Sequence, residues 1–165
     1  MILLHNIGDE KHSNYNTREQ IMACGEMLSF DGVYRSVYEN RDLLMDRPFF
    51  MFVGGDTIGK DNAFDLANVP KLEQFCTMEE LEELAHSYLG ILAWHTWTHR
   101  DLTTLSEDEI RGELERPSGF APYIAYPYGK FNDTVIRIAK EMGYIRGYSV
   151  TEGDNSQFQI LRSYL

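Results

Sequence analysis

Short apolar runs alternate with helix-like stretches along this chain, and no other feature restricts its fold so strongly. "MILLHNI", "MLSF", "RPFFMFVGG", "ILAW" and "IAYPYG" are of strand length and are bounded by turn residues. Ile2–Ile7 reads as a first strand and Met27–Phe30 as a second, which ends in an Asp and a Gly. Between the runs, Val33–Met45 repeats apolar residues at threes and fours and predicts a helix. "TMEELEELAHSYLG" is the best-signalled helix. Thr77 can cap it, Glu80 can close a capping box, Met78, Leu81, Leu84, Ala85 and Tyr88 share one face, and Gly90 stops it. "SEDEIRGELER" repeats the capping-box start with Ser106 and Glu109, and "DTVIRIAKEMGY" is a further amphipathic helix. Residues 56–71 read as a long polar loop, and "RGYSV" and "QILRSYL" as the last strands. Strands that alternate with helices in this way pair in parallel, so the expected class is α/β.

At 165 residues, 43% of them hydrophobic and 25% charged, the chain reads as one soluble globular domain over residues 1–165, with no repeat or linker to divide it. A formal charge of -11 argues against nucleic acid, because little here would neutralise a phosphate backbone, and it disfavours anionic membrane surfaces. Two cysteines, Cys24 and Cys76, are too few for a disulfide framework and read as thiols in a reducing compartment. The N-terminal apolar run is neither a secretory signal nor a membrane span, so a cytoplasmic location is expected. Nothing in the sequence specifies an oligomeric state.

Three chemically loaded segments, "SFDG", "HTWTH" and "YPYG", each stand where an apolar run gives way to a loop. In barrel-like α/β folds that edge gathers active sites. His95 and His99 are four positions apart; if the turn after the strand is helical, both imidazoles face one way and can reach one ion. The bland alternative is a pair of histidines satisfied by the backbone. His5, His12 and His86 lack comparable context and read as structural. Asp31 is placed at the mouth of the sheet, although a turn or cap role suits its position as well. Tyr126-Pro127-Tyr128-Gly129 can be a tight turn, or can present a backbone N–H to a substrate oxygen. The aromatics near these motifs, Trp94, Trp97, Tyr126 and Tyr128, suit sugar stacking and core packing alike.

Taken in order, the three segments resemble the polysaccharide deacetylases of carbohydrate esterase family 4, the NodB-homology group. "SFDGVYRSVY" stands where that family has T-F-D-D-G, "HTWTH" fills H-[ST]-x-x-H with Asp101 and Leu102 following, and "YPYG" is similar to a variant of R-x-P-Y-G. The resemblance spans nearly the whole chain. It implies a distorted, incomplete (β/α) barrel that removes acetyl groups from an N-acetylated saccharide with Zn²⁺, or with Co²⁺, Ni²⁺ or Mn²⁺. It implies that His95 and His99 are metal ligands, that Asp31 is the general base, and that the Tyr128 main-chain N–H faces the developing oxyanion. Tyr126 and Trp97 would line the substrate.

The chain also departs from the family. The second aspartate of the first motif, the metal's carboxylate ligand, aligns with Gly32. Asp31 is therefore expected at the metal, as ligand or as base, with Asp56 and Asp101 as alternative ligands from other loops. The arginine that partners the catalytic aspartate is absent from the third motif. Arg162 is the candidate replacement, against the alternative of an exposed surface cation. No histidine follows His99, so the family's late general-acid histidine is missing. These gaps make a sugar- or partner-binding protein without turnover the rival reading.

Overall fold

The computed structural model describes residues 1–9, 14–66 and 71–165. The chain opens with β1 (Ile2–Leu4), β2 (Asn6–Ile7), β3 (Tyr15–Asn16) and α1 (Arg18–Ala23), followed by β4 (Leu28–Asp31), α2 (Arg35–Glu39) and β5 (Phe49–Val53). It continues through α3 (Met78–Ser87), β6 (Gly90–Trp94), α4 (Glu107–Leu114), β7 (Tyr123–Ala125), α5 (Asp133–Glu141), β8 (Arg146–Ser149), β9 (Ile160–Leu161) and β10 (Ser163–Tyr164). Eight strands form one sheet in the order β10-β1-β4-β5-β6-β7-β8-β9, and every pairing in it is parallel. β9 lies on one edge, β10 on the other, and Arg162 alone separates them along the chain. The C-terminal segment therefore draws the two edges together into a nearly closed barrel flanked by helices. The expected incomplete (β/α) barrel is what forms.

The period-two alternation of strand side chains sorts the core into two layers. Leu28, Phe30, Phe49, Met51, Val53 and Trp94 face outward onto the helices and join the larger apolar cluster. Phe50, Phe52, Ala93, Ala125 and Tyr148 form a second cluster inside the barrel. Each large side chain so buried contributes about 1.5–3 kcal/mol. Ser29 and Asp31 alternate with Leu28 and Phe30, so β4 aims its one carboxylate inward at its C-terminal end.

α3 and α4 begin with the predicted capping boxes of Thr77 with Glu80 and Ser106 with Glu109. Several boundaries differ from expectation. The first strand breaks at His5, and Asn6–Ile7 pairs instead with Tyr15–Asn16 in a separate two-stranded sheet. The helix predicted over Val33–Met45 starts only at Arg35, because Tyr34 is drawn into a bridge with Phe75, and it is split at Asn40 into α2 and a 3₁₀ turn at Arg41–Leu44. Gly90 does not stop α3. Leu89 takes the left-handed conformation, at φ 59°, and Gly90 opens β6, where a Cβ would meet Met51 Cε at 2.7 Å and the Leu84 carbonyl at 2.9 Å. The polar loop is not structureless: it holds 3₁₀ turns at Gly55–Thr57 and Ala63–Asp65, while its residues 67–70 lie outside the described residues. α1, with a Thr17–Gln20 capping box, was not anticipated. Among the described residues no helix is long and apolar enough to cross a membrane.

Candidate active site

The loaded segments meet at the C-terminal mouth of the barrel. Asp31 ends β4 and is 6% exposed. Arg162, 2% exposed at the seam between β9 and β10, grips it with both terminal nitrogens: Nη1 donates to Oδ1 at 2.6 Å and Nη2 to Oδ2 at 2.7 Å. The surface-cation alternative for Arg162 is excluded. Its guanidinium also lies over the Phe52 ring, 5.0 Å from the centroid. Burial alone would raise the Asp31 pKa. The Arg162 charge, followed by that of His95 and the Arg162 hydrogen bonds, outweighs burial and brings it down from 3.8 to about 2.

His95 follows β6 and is 4% exposed. Its Nδ1 lies 2.8 Å from the Ala125 carbonyl, which can only accept, so Nδ1 carries the proton and Nε2 keeps its lone pair. Nε2 is turned toward Asp31, 3.7 Å from Oδ2. Burial lowers the His95 pKa to about 4 against the pull of Asp31, so the ring is neutral at physiological pH. The His99 ring stands edge-on to His95, with centroids 4.7 Å apart, and Tyr128 is edge-on to His99 at the same spacing.

The expected helical turn does not bring the imidazoles together. Residues 95–99 form a loop in which Thr96 (φ 70°) and His99 (φ 56°) both occupy the left-handed region. Each such residue costs about 1–3 kcal/mol, so the loop must be held from outside. The Thr96 hydroxyl accepts from the His99 N–H at 3.1 Å, and the Thr96 and Trp97 carbonyls accept from Gly55 and Asp56 N–H. The buried Glu113 carboxylate accepts both the N–H and the hydroxyl of Thr98, and its carbonyl accepts from Trp94 Nε1.

Other expected residues stand apart. Tyr126 is 1% exposed, with its hydroxyl on the Phe158 carbonyl, so its side chain is core and not a substrate wall. Trp94 is likewise core. Trp97 covers the backbone of Gly55 and donates to the Glu115 carbonyl. Tyr128 does belong to the mouth: its exposed ring is edge-on to His99, and it sits at φ 57° in the turn after β7. Asp56 pairs with Lys60, and Asp101 is held by Thr103 and Lys130, so neither reaches toward the imidazoles. His86 lies on the exposed end of α3, and His12 lies outside the described residues.

His5 belongs to the mouth, contrary to its structural reading. Leu4 pairs with Phe30, so one step on along both strands His5 stands beside Asp31 on the inner face, and its charge helps to lower the Asp31 pKa. Its ring lies alongside that of Tyr164, with centroids 6.5 Å apart. The signal was available, since His5 also closes an apolar run.

Gly32 occupies φ 67°, and a Cβ there would come within 3.2 Å of Phe75 Cε1. Replacing Gly32 with alanine is expected to destabilise the fold by about 1–2 kcal/mol through left-handed strain, read from urea midpoints; an unchanged midpoint would mean that the backbone relaxes freely. Among the described residues no group of three or more His, Cys, Asp or Glu side chains is disposed to hold a metal ion. The donors that do converge, two imidazoles with one Nε2 lone pair turned inward, suit zinc and its neighbours but stop one ligand short of an ordinary catalytic zinc site.

A parallel barrel with a fixed carboxylate and imidazoles at its C-terminal mouth has the layout in which (β/α) barrels place their active sites. The sequence profile of the polysaccharide deacetylase family matches residues 27–146, and the chain belongs to that family. Among solved structures it is similar to the deacetylase PplD of Streptococcus pyogenes, crystallised in complex with acetate, at a TM-score of 0.79 and 16% identity over 99% of this chain and 90% of that one. IcaB from Ammonifex degensii aligns at 0.74 and 16% over 99% and 91%. The BpsB deacetylase domain from Bordetella bronchiseptica aligns at 0.67 and 23% over 84% and 70%. At such identities these likenesses establish the fold. Comparison with curated proteins finds no match.

Proposed function

We propose that the chain hydrolyses the N-acetyl amide of a saccharide, releasing acetate and leaving a free amine on the sugar. The observation that carries this reading is Asp31, fixed in one orientation by Arg162 beside the inward-facing Nε2 of His95, in a polysaccharide deacetylase chain. Asp31 stays ionised at neutral pH and takes the proton of the attacking water. His95 and His99 would hold a divalent ion, Zn²⁺ above Co²⁺, Ni²⁺ or Mn²⁺, and such an ion would polarise the acetyl carbonyl and acidify a bound water. The Tyr128 main-chain N–H stabilises the oxyanion, and His5 gives a proton to the departing nitrogen. Acetate in the S. pyogenes relative is the product that such a reaction releases. The free thiols of Cys24 and Cys76 accord with a cytoplasmic setting.

The incomplete ligand set favours a second reading, saccharide binding without turnover. Acetate release from N-acetylglucosamine oligomers, measured after chelation and again with added zinc, separates the two. The deacetylase reading expects zinc-dependent release that falls about 10³-fold in Asp31→Asn. Oligomer binding with no acetate from the zinc-loaded protein would establish the binding protein instead.

A further inference from the structure

Ser149 ends β8 fully buried, and nothing in the proposed reaction uses its hydroxyl. Its Oγ donates to the Gly129 carbonyl at 2.7 Å, and the Thr151 hydroxyl donates to the same oxygen at 3.0 Å. The Thr151 N–H in turn donates to Ser149 Oγ at 3.3 Å. The doubly held carbonyl belongs to the turn after β7, where Tyr128 (φ 57°) and Gly129 (φ 70°) are left-handed in succession. Two peptide units join it to Tyr128. The Gly129 carbonyl shares one peptide plane with the Lys130 N–H, which donates to the Pro127 carbonyl at 3.1 Å. The Pro127 carbonyl shares the next plane with the Tyr128 N–H. Both peptides are trans, so in each the N–H points opposite to the carbonyl. The line of bonds starts at the hydroxyls of Ser149 and Thr151, and its last donor is the Tyr128 N–H.

We propose that Ser149, aided by Thr151, is a positioning residue for the oxyanion: by holding the Gly129 carbonyl it orients and polarises the Tyr128 N–H. The proposal rests on the deacetylase reading above, in which that N–H faces the developing charge. A donor that grips a carbonyl draws electron density from the N–H of the same peptide and makes that N–H a stronger donor, and the effect passes along a chain of such bonds. A tyrosine at positive φ is not held there by its own preference, so its peptide plane is set by the ties around it. An oxyanion donor accelerates the reaction only when it is aimed before the charge appears. A buried hydroxyl on the end of a barrel strand supplies that aim from a rigid element.

The test compares the full chain as wild type, Ser149→Ala, Thr151→Val and Thr151→Ser. Amide NMR spectra of isotope-labelled, metal-free protein follow the Tyr128 and Lys130 N–H groups, and acetate release from N-acetylglucosamine oligomers with zinc gives kcat and KM. Both amide protons are expected to move upfield in Ser149→Ala, and less far in Thr151→Val. In Ser149→Ala kcat is expected to fall about 10-fold with KM within about 2-fold, because the donor acts on the transition state. Thr151 is exposed, so its variants decide the matter if Ser149→Ala does not fold, and Thr151→Ser restores what Thr151→Val loses. A hydroxyl that only satisfies a buried carbonyl lowers Tm and leaves kcat per folded molecule unchanged, which overturns the proposal. Unmoved amide protons, or a loss expressed in KM, overturn it as well. Should wild type release no acetate while both amides still move, the deacetylase reading fails and the hold of Ser149 on the Tyr128 N–H stands.

Discussion

Replacing either Asp31 or Arg162 with alanine is expected to destabilise the fold by about 3–5 kcal/mol, because each change leaves a charge inside the barrel without its partner. At 6% and 2% exposure neither group reaches bulk water. Asp31→Ala strands two guanidinium donors that now bond Oδ1 and Oδ2, and it adds to the Nε of Arg162, which is already buried without a hydrogen bond. Arg162→Ala strands the carboxylate beside a neutral His95, with its two guanidinium hydrogen bonds gone. For a chain of this length the loss amounts to about 10 °C or more in Tm. The double variant Asp31→Leu/Arg162→Met is expected to recover most of that loss, since apolar groups of similar volume replace a buried pair at little cost. It nevertheless remains without acetate release. Urea denaturation of the four proteins measures the coupling. Singles that each lose under about 1 kcal/mol would mean that the pair is open to solvent and does not hold the seam.

Asp31 and its neighbour His95 give stability a sign with respect to pH. His95 has its folded pKa lowered from 6.5 to about 4, so folding favours the neutral ring. Its contribution is present above 6.5 and is lost as pH falls toward about 4. Asp31 has its pKa lowered from 3.8 to about 2, so its contribution persists through the first window and is lost only as pH falls from 3.8 toward about 2. Acid unfolding of the metal-free protein is therefore expected in two steps of slope. The lower step should shrink in Asp31→Leu/Arg162→Met to what exposed carboxylates such as Glu109, also lowered to about 2, contribute, as denaturant midpoints taken across that range will show. A single slope that survives in the double variant contradicts the assignment.

How much of this could be read from residue order depended on the range of the interaction. Capping boxes at Thr77 and Ser106 are local, and both helices start where the sequence put them. The alternation in "LSFD" likewise assigns Asp31 to one face of its strand. Arg162 is 131 positions from Asp31, and only closure of the barrel at the seam between β9 and β10 joins them. The motif match suggested the arginine as a candidate; it did not supply the geometry. The four-residue spacing of His95 and His99 suggested a helix, whereas Gly55, Asp56 and Glu113 bond the loop into a strained non-helical path that also brings the rings together. Tyr126 looked like a substrate wall because it is an aromatic of the third motif, yet strand alternation turns it into the core against Gly147. His5 was passed over because its partner Asp31 lies on another strand. A single-sequence pattern does not show register between strands.

His5→Gln is expected to reduce kcat for an N-acetylated sugar about 10²-fold or more, while slowing hydrolysis of an aryl acetate far less. The two substrates share the acyl group and differ in what departs. When the C–N bond of the tetrahedral intermediate breaks, its electron pair stays on nitrogen, which must take up a proton as it leaves. A phenolate leaves without one. Glutamine keeps a polar amide at position 5 but has no titrating proton, so it preserves the contact with the Asp31 neighbourhood and removes only the donor. A role for His5 in holding the fold, or in binding the cation, predicts a different result: both substrates slow together, with a lowered Tm in the first case and weaker zinc retention in the second. The first strand breaks after Leu4, and the backbone departs toward β2 at the level where His5 stands beside Asp31 on the neighbouring strand. In the proposed reaction, Asp31 as base and His5 as acid would act from adjacent strands, one on the entering water and the other on the departing amine.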